Sequence, residues 1–416
     1  MKKIYSFLFL CLVSTFVFGQ TQTTRELVWD SQTRQYIEYI PTAYNSENPM
    51  PVMFCLHGLG DNMQNFFNNQ HLNEWGEMAN WIIITPQALD AQVPLVGSVG
   101  AAWNSGAGIN MGMPIIINEN VDDSGFLMAI LDSLENHLNI NTDSVFFMGF
   151  SMGGFMSNRM AIEHGDRINA IASISGTIGI AVKDQIPVAK VNTLHFHGTN
   201  DETIAYEDAG FPIGGTNYST GLGAEQTVDY WKTHNQCGNE ATHTFFPDEK
   251  EDGLTFERFL YKNESENIQT ALIKANNGIH DWYYTPVNDI HYSIEIYKFF
   301  TNTMDFPTDI KNTTIESLNI YPNPTRDKLF IEYNFTSYSE EGNEDLLQTL
   351  GYKKHNDCRS GEISIYTIDG KMIISKTLEQ PSGLENIDMK DYPPASYLIK
   401  ITDCYGFFKK QKFVKQ

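Results

Sequence analysis

Cysteine is scarce in this chain, with five in 416 residues. That scarcity excludes the small disulfide-framed modules that cannot build a sufficient core. Cys11 falls in the leader described below, and four others remain. Cys55 sits mid-strand in Val52-Met53-Phe54-Cys55-Leu56 and is expected to be a buried thiol. Cys358 and Cys404 share the C-terminal part, where a bridge and two free thiols are both open. Basic charge is also short. Twenty-eight Lys and Arg face 51 Asp and Glu, a formal net charge of −23. Residues 20–305 hold 35 acidic and 12 basic side chains, while residues 306–416 hold 16 and 14. Such an acidic body argues against nucleic acid or an anionic lipid surface as partner. After the leader, no apolar run is long enough to cross a bilayer, so no stable membrane span is expected. No internal repeat is present. No Cys, His and carboxylate set has the spacing of a metal site, and neither metal nor cofactor is expected.

What is present begins with Lys2-Lys3 and an apolar run from Ile4 to Phe18, closed by Val17-x-Gly19. This reads as a secretory signal over residues 1–19, with export to the periplasm and beyond. Hydrophobic residues make up 41% of the chain, enough for a packed globule. Arg25–Trp29 and Arg34–Ile40 flank a polar turn at Asp30-Ser31-Gln32 and read as a hairpin. Buried-strand runs follow at Pro51–Leu56, Trp81–Thr85, Ser144–Phe150, Ala170–Ser175 and Thr193–Phe196. Helical patterns lie between them, clearest in Phe126–Leu138. This alternation predicts an α/β domain over residues 20–305, with a mostly parallel sheet covered by helices on both faces. A linker is expected at 306–317, around Pro307. Short alternating strands then predict a small all-β, sandwich-like domain over 318–416, with an irregular polar insertion near 334–361 and a hairpin turn at Asp369-Gly370.

The chemistry concentrates in Val145–Phe155, where an apolar run ends in Gly149-Phe150-Ser151-Met152-Gly153 and a helical pattern follows. G-x-S-x-G between strand and helix is a sharp turn that exposes the serine hydroxyl and aims the next backbone N–H at a developing oxyanion. Ser151 is the expected nucleophile and Met152 N–H one oxyanion donor. Sheets of this kind place ligands at the carboxyl ends of their strands. The loop after Leu56, His57-Gly58-Leu59-Gly60, is expected to supply the second donor, Leu59 N–H. A base must follow with an acid between, in the chain order Ser, Asp, His. His234 ends a helix, His243 lies in a strand pattern, His291 lies in a helix and His355 lies in the insertion. His280 alone sits in a loop just past a strand. Asp201 falls just past the strand Thr193–Phe196 and is the expected acid, with Asp208 as the alternative. His195 and His197 share one strand face but lack further ligands at metal spacing.

Several motifs together carry a resemblance. They are Leu56-His57-Gly58, Ala102-Trp103-Asn104, Val121-Asp122-Asp123-x-Gly125-Phe126, Gly149–Gly153, His197-Gly198-Thr199-x-Asp201 and His280-x-Trp282. From about Arg34 to Phe300 the chain resembles the secreted polyhydroxybutyrate-depolymerase-like and feruloyl or acetyl-xylan esterases of carbohydrate esterase family 1. The resemblance implies an α/β-hydrolase fold, and Ser151, His280 and Asp201 as catalytic triad. It also implies a substrate pocket walled by Trp103 and Trp282, with Asn104 beside them. Cys237 matches a family cysteine, but no partner stands between residues 255 and 275. The substrate is expected to be a carboxylic ester, polymeric, either on plant polysaccharide or in a polyester. A peptidase of the same fold and a non-catalytic glycan-binding protein are the alternatives. The tail is similar to the C-terminal sorting domain of type IX secretion cargo, through Tyr321-Pro322-Asn323-Pro324, Asp369-Gly370-Lys371, Tyr397-Leu398-Ile399 and the Lys-rich end. That similarity implies the type IX secretion machinery as partner and an extracellular or cell-surface location.

Overall fold

A computed structural model describes residues 21–93, 97–110, 113–213, 216–250, 252–285, 287–302, 315–335, 361–367, 372–380, 382–403 and 408–416. The leader, most of the expected linker, nearly all of the insertion, the Asp369-Gly370 turn, Cys358 and Cys404 lie outside the described residues. The chain divides into two compact units, Met1–Trp282 and Tyr283–Gln416.

The first unit opens with β1 (Thr21–Trp29) and β2 (Gln32–Ile40), paired through a tight turn whose two residues, Asp30 and Ser31, both have positive φ. Short polar side chains tolerate that region best, and paired positive φ matches the strand twist of a two-residue hairpin. There follow β3 (Met50–Leu56), α1 (Met63–Asn69), α2 (Leu72–Ala79), β4 (Ile82–Pro86), β5 (Leu89–Val93), β6 (Gly97–Ala102), β7 (Gly108–Asn110), β8 (Pro114–Ile116), α3 (Asp123–His137), β9 (Ile140–Phe150), α4 (Met152–His164), β10 (Ala170–Ile174), β11 (Asn192–Gly198), β12 (Gly210–Ile213), β13 (Thr216–Ser219), α5 (Ala224–His234), β14 (Thr242–Phe245), β15 (Thr255–Asn263) and β16 (Ile268–Asn276).

Ten strands form one sheet in the order β1-β2-β4-β3-β9-β10-β11-β16-β15-β14. The six from β4 to β16 run parallel, and the flanking pairs are antiparallel. Successive residues of β3, β9 and β10 are buried whichever way they point: Phe54, Cys55, Phe147, Met148, Ile171 and Ala172 are all essentially inaccessible. Both sheet faces are therefore covered, as near-continuous apolar runs require. Burial of Cys55 follows from this central place.

Three small hairpins, β5–β6, β7–β8 and β12–β13, stand outside the sheet. The Gly- and Met-rich stretch 104–120 contains one of them, β7–β8. Its strands are three residues each, too short to leave a period in the sequence.

The second unit contains α6 (Tyr292–Phe300) and seven strands: β17 (Ile315–Tyr321), β18 (Lys328–Phe335), β19 (Gly361–Thr367), β20 (Met372–Leu378), β21 (Ser382–Asp388), β22 (Ala395–Asp403) and β23 (Phe408–Lys415). They make two sheets, β17-β18-β21 and β20-β19-β22-β23. Alternate residues of both, among them Leu329, Ile331, Ile363, Ile365, Ile399 and Ile401, meet in one core cluster. This is the sandwich pattern of inward apolar and outward polar positions.

Candidate active site

Four parallel strands release their loops at the same edge of the sheet. Leu56 of β3 leads to His57-Gly58-Leu59, Phe150 of β9 to Ser151, Gly198 of β11 to Asp201, and Asn276 of β16 to His280. β3 neighbours β9, and β11 neighbours β16. Parallel order thus gathers residues far apart in the chain at one rim.

Ser151 stands between β9 and α4 at φ 54° and ψ −120°. That sparsely populated region costs on the order of 1–3 kcal/mol and survives only where its surroundings dictate it. They do so through two glycines. A Cβ on Gly149 would run into the Gly153 carbonyl, and one on Gly153 into the Leu56 carbonyl. Ser151 N–H donates to Ile174 O (2.7 Å), which ties the turn to β10. Met152 is the first residue of α4, and first-turn amides have no acceptor inside their own helix.

The β3 loop runs close by: a Cβ on Gly58 would lie 3.4 Å from Ser151 Cβ. His57 holds this loop. Its Nδ1 meets Gly58 O at 2.8 Å and its Nε2 accepts from Ala88 N at 3.2 Å. A carbonyl only accepts, so Nδ1 carries the proton. Burial pushes the His57 pKa down and outweighs the Gly58 bond and Asp61, which keeps the ring neutral. Across a trans peptide N–H opposes C=O, so fixing Gly58 O also fixes the opposite heading of Leu59 N–H.

His280 lies 2.7 Å through Nδ1 from Asp201 Oδ2. Asp201 Oδ1 accepts from Thr203 N and Ile204 N, both at 2.8 Å. Burial raises the Asp201 carboxyl, but hydrogen bonds from His197 and His280, the His280 charge and the Ile204 amide outweigh it. They hold the group well below the usual carboxylate range. Asp208 is exposed and its Oδ1 accepts from Gly210 N (2.9 Å), closing the turn before β12.

Ser151, Met152, Leu59 and His280 line one cavity of about 680 Å³. Its walls are mostly apolar, with Val93 and Val99 of β5–β6, Ile109 of β7 and Phe211 of β12 as contributions from the three hairpins. These wall residues carried no sequence signal beyond being apolar. Asp61, Thr203 and Thr220 are the other polar lining groups.

Three expected substrate contacts lie elsewhere. Trp103 is wholly buried, and its indole N–H donates to His57 O at 2.9 Å. Asn104 is buried too. Its N–H donates to Asp123 Oδ2 (2.7 Å) and its amide to Glu119 O and Val121 O (3.0 and 2.8 Å). Asp123 in turn pairs with buried Arg34 at 2.7 Å, and Arg34 also donates to Gln87 O. Trp103 therefore supports the loop carrying Leu59 from behind, and Asn104 ties the chain after β6 to the start of α3. Trp282 packs edge-on against Phe66 and Phe150, each at 6.4 Å between centroids. It braces the cavity residue Phe150 instead of facing the cavity. The resemblance implied that these residues wall the pocket, and none of them lines the cavity.

His195 and His197 use their ring nitrogens on protein partners: Ser173 Oγ, each other and Ile204 O. The Cys237 thiol lies 3.9 Å from Ile268 O and from Thr270 Oγ1 and is free, as is Cys55.

Comparison with known proteins supplies the context for this geometry. Residues 41–211 match the phospholipase/carboxylesterase family, and residues 319–416 match the secretion system C-terminal sorting domain. Feruloyl esterase D of Neurospora crassa is 32% identical over 187 residues, 45% of this chain and 58% of that protein. Feruloyl esterase C of Emericella nidulans is 30% identical over 199 residues, 48% of this chain and 66% of that protein. The chain thus spans 58% to 66% of the length of these curated relatives. An acetyl xylan esterase structure from Aspergillus awamori is similar at 13% identity and a TM-score of 0.44, covering 67% of this chain and 99% of that one. Residues 41–211 are thus similar to the phospholipase/carboxylesterase family, and residues 319–416 to the secretion-system C-terminal sorting domain.

Proposed function

We propose that this protein hydrolyses carboxylic esters through an acyl-enzyme formed on Ser151. The observation that carries the reading is the pairing of a strained Ser151 elbow with His280 in one cavity, His280 itself hydrogen-bonded to Asp201. Asp201 accepts from Nδ1 of His280, which leaves Nε2 free to take the serine proton. Ser151 Oγ attacks the ester carbonyl, and the Leu59 and Met152 N–H groups receive the negative oxygen. His280 returns the proton to the leaving alkoxide. A water then repeats the sequence, releasing the acid and restoring Ser151.

The acyl or alcohol part is bulky and apolar, which the hairpin walls and the cavity volume support. Relatives named feruloyl esterases support an ester on plant polysaccharide as the natural substrate. The same apolar lining suits a polyester. We further propose a hydrolase domain over residues 20–305, a linker at 306–317 and a type IX sorting domain over 318–416 that takes the enzyme out of the cell. The match at 319–416 supports the sorting role.

The test is to treat the purified protein with a fluorophosphonate and map the label. Turnover is then measured on p-nitrophenyl esters, feruloylated and acetylated xylan, and a polyester film. Labelling of Ser151, with turnover lost in Ser151→Ala, is expected. Full turnover in a folded Ser151→Ala would overturn the mechanism. A wild-type protein that binds xylan and cleaves no ester would make it a glycan-binding protein.

A further inference from the structure

We propose that His197 is a positioning residue for Asp201: its ring fixes the turn that carries the carboxylate and, through it, the aim of His280. The proposal rests on the triad reading above.

Two histidines occupy one face of β11, at 195 and 197, and both are buried, His197 completely. Burying an imidazole is unfavourable unless both nitrogens find partners. Here they do, in a single chain. Ser173 of β10 faces His195 across the parallel register, and its hydroxyl lies 2.7 Å from His195 Nδ1. His195 Nε2 is 3.1 Å from His197 Nδ1. His197 Nε2 is 2.8 Å from Ile204 O and 3.4 Å from Asp201 Oδ2.

The carbonyl at the end sets every proton along this chain. Ile204 O can only accept, so His197 Nε2 carries hydrogen and, in the neutral ring, Nδ1 accepts. His195 then donates from Nε2 and accepts at Nδ1, where the Ser173 hydroxyl donates. One arrangement satisfies every member, and it aims an N–H at the turn from Gly198 to Ile204.

That turn is the acid's mounting. Asp201 N bonds to Gly198 O, Oδ1 takes two amides of the same turn, and Thr199 N and Asn200 N reach Ala275 O and Gly278 O in the segment leading to His280. His197 secures its far end at Ile204 and lies beside the oxygen that faces His280. Two apolar side chains would fill the same core space without any polar partner. A hydrogen-bonded pair ending on the Asp201 turn does more than fill space: it fixes where the carboxylate points.

The experiment compares His197→Leu and His197→Gln with wild type on p-nitrophenyl butyrate, with active sites counted by fluorophosphonate titration. His197→Leu removes both nitrogens. Its kcat per titrated site is expected to fall about 100-fold with KM within about threefold, the scale of a misaligned catalytic group. His197→Gln places an amide N–H near the position of Nε2 and is expected to recover kcat to within about tenfold of wild type. Unchanged kcat per site in His197→Leu, with only a lower melting temperature, would overturn the proposal. Should His197→Leu fail to fold, His197→Asn serves, since its amide is too short to reach Ile204 O. Gln is expected to exceed Asn in kcat, and equal values would overturn the proposal. A wild type that neither turns over esters nor takes the label would remove the triad reading and this proposal with it. An active wild type with insensitive His197 variants would remove this proposal alone.

Discussion

Replacing Asp201 by Asn tests the candidate site most sharply, because the structure dictates which way the new amide must point. Oδ1 of Asp201 accepts two backbone amides, from Thr203 and Ile204. Oδ2 faces His280 Nδ1 at 2.7 Å. An asparagine with its oxygen on the two amides presents its NH2 group to His280. That group can only donate, so His280 Nδ1 must become the acceptor and the ring proton moves to Nε2. A ring protonated at Nε2 cannot take the Ser151 proton. The flipped amide would instead set NH2 against two N–H donors and leave both amides unpaired, each at about 1–3 kcal/mol. The wrong tautomer therefore prevails, and the loss of the charge partner adds to it. A fall in kcat of about 10⁴-fold is expected, equal to roughly 5.5 kcal/mol of barrier. Asp208→Asn touches only the Gly210 amide from an exposed position and should stay within about threefold. The assay is p-nitrophenyl butyrate turnover per fluorophosphonate-titrated site, with circular dichroism to confirm folding. An Asp201→Asn protein within tenfold of wild type, or an Asp208→Asn protein equally impaired, would refute the reasoning.

Three further outcomes follow from the same geometry. Trp103→Ala empties a fully buried site and frees His57 O, so it should cost about 3–5 kcal/mol of stability while leaving the ranking of acyl chain lengths unchanged; an altered ranking at unchanged melting temperature would return Trp103 to the pocket wall. Burial, with His197 adding to it, holds the His195 pKa well below its usual value of 6.5, so the folded protein resists a proton that the unfolded chain binds. Stability from this group is complete above about pH 6.5 and declines as pH falls below it; melting temperature measured from about pH 7 down to about pH 5 should fall, less steeply in His195→Gln, and an identical slope would refute the assignment. Asp201, whose pKa lies below the carboxylate range, contributes no slope in that window. Deletion of Leu318–Gln416 should leave ester hydrolysis in cell lysates intact and remove it from the medium of a host with type IX secretion, and equal activity in the medium would show that the tail is not the export signal.

Much of the framework was readable because it depends on near neighbours in the chain. The apolar runs of β3, β9 and β10 fall within a few residues of their expected limits, since a strand buried on both faces leaves a continuous signal. Gly149 and Gly153 announced the Ser151 turn because the Cβ collisions they avoid lie within that turn or at the end of the adjoining strand. Chain order and loop position pointed to His280. The facing of side chains was not readable in the same way. Trp103 and Asn104 follow β6 directly, yet they turn inward to His57 and Asp123, 46 and 19 residues away in sequence. Part of the cavity wall comes from three short hairpins, and Phe211 or Val99 is ordinary until the fold gathers them.

The sequence by itself therefore determined the alternation of strands and helices, the strained turn at Ser151, and the two segments whose families match. Steric limits and apolar period act over a few residues, and any chain with this order of residues must meet them. Tertiary structure alone decided between Asp201 and Asp208 as the partner of His280, withdrew the two tryptophans from the pocket, and joined Ser173, His195 and His197 to the Asp201 turn. Those outcomes are hydrogen bonds and packing contacts between groups far apart in the chain, such as Asp201 and His280, 79 residues apart, or Trp282 and Phe66. Such contacts exist only once parallel strands have brought their carboxyl ends to one rim.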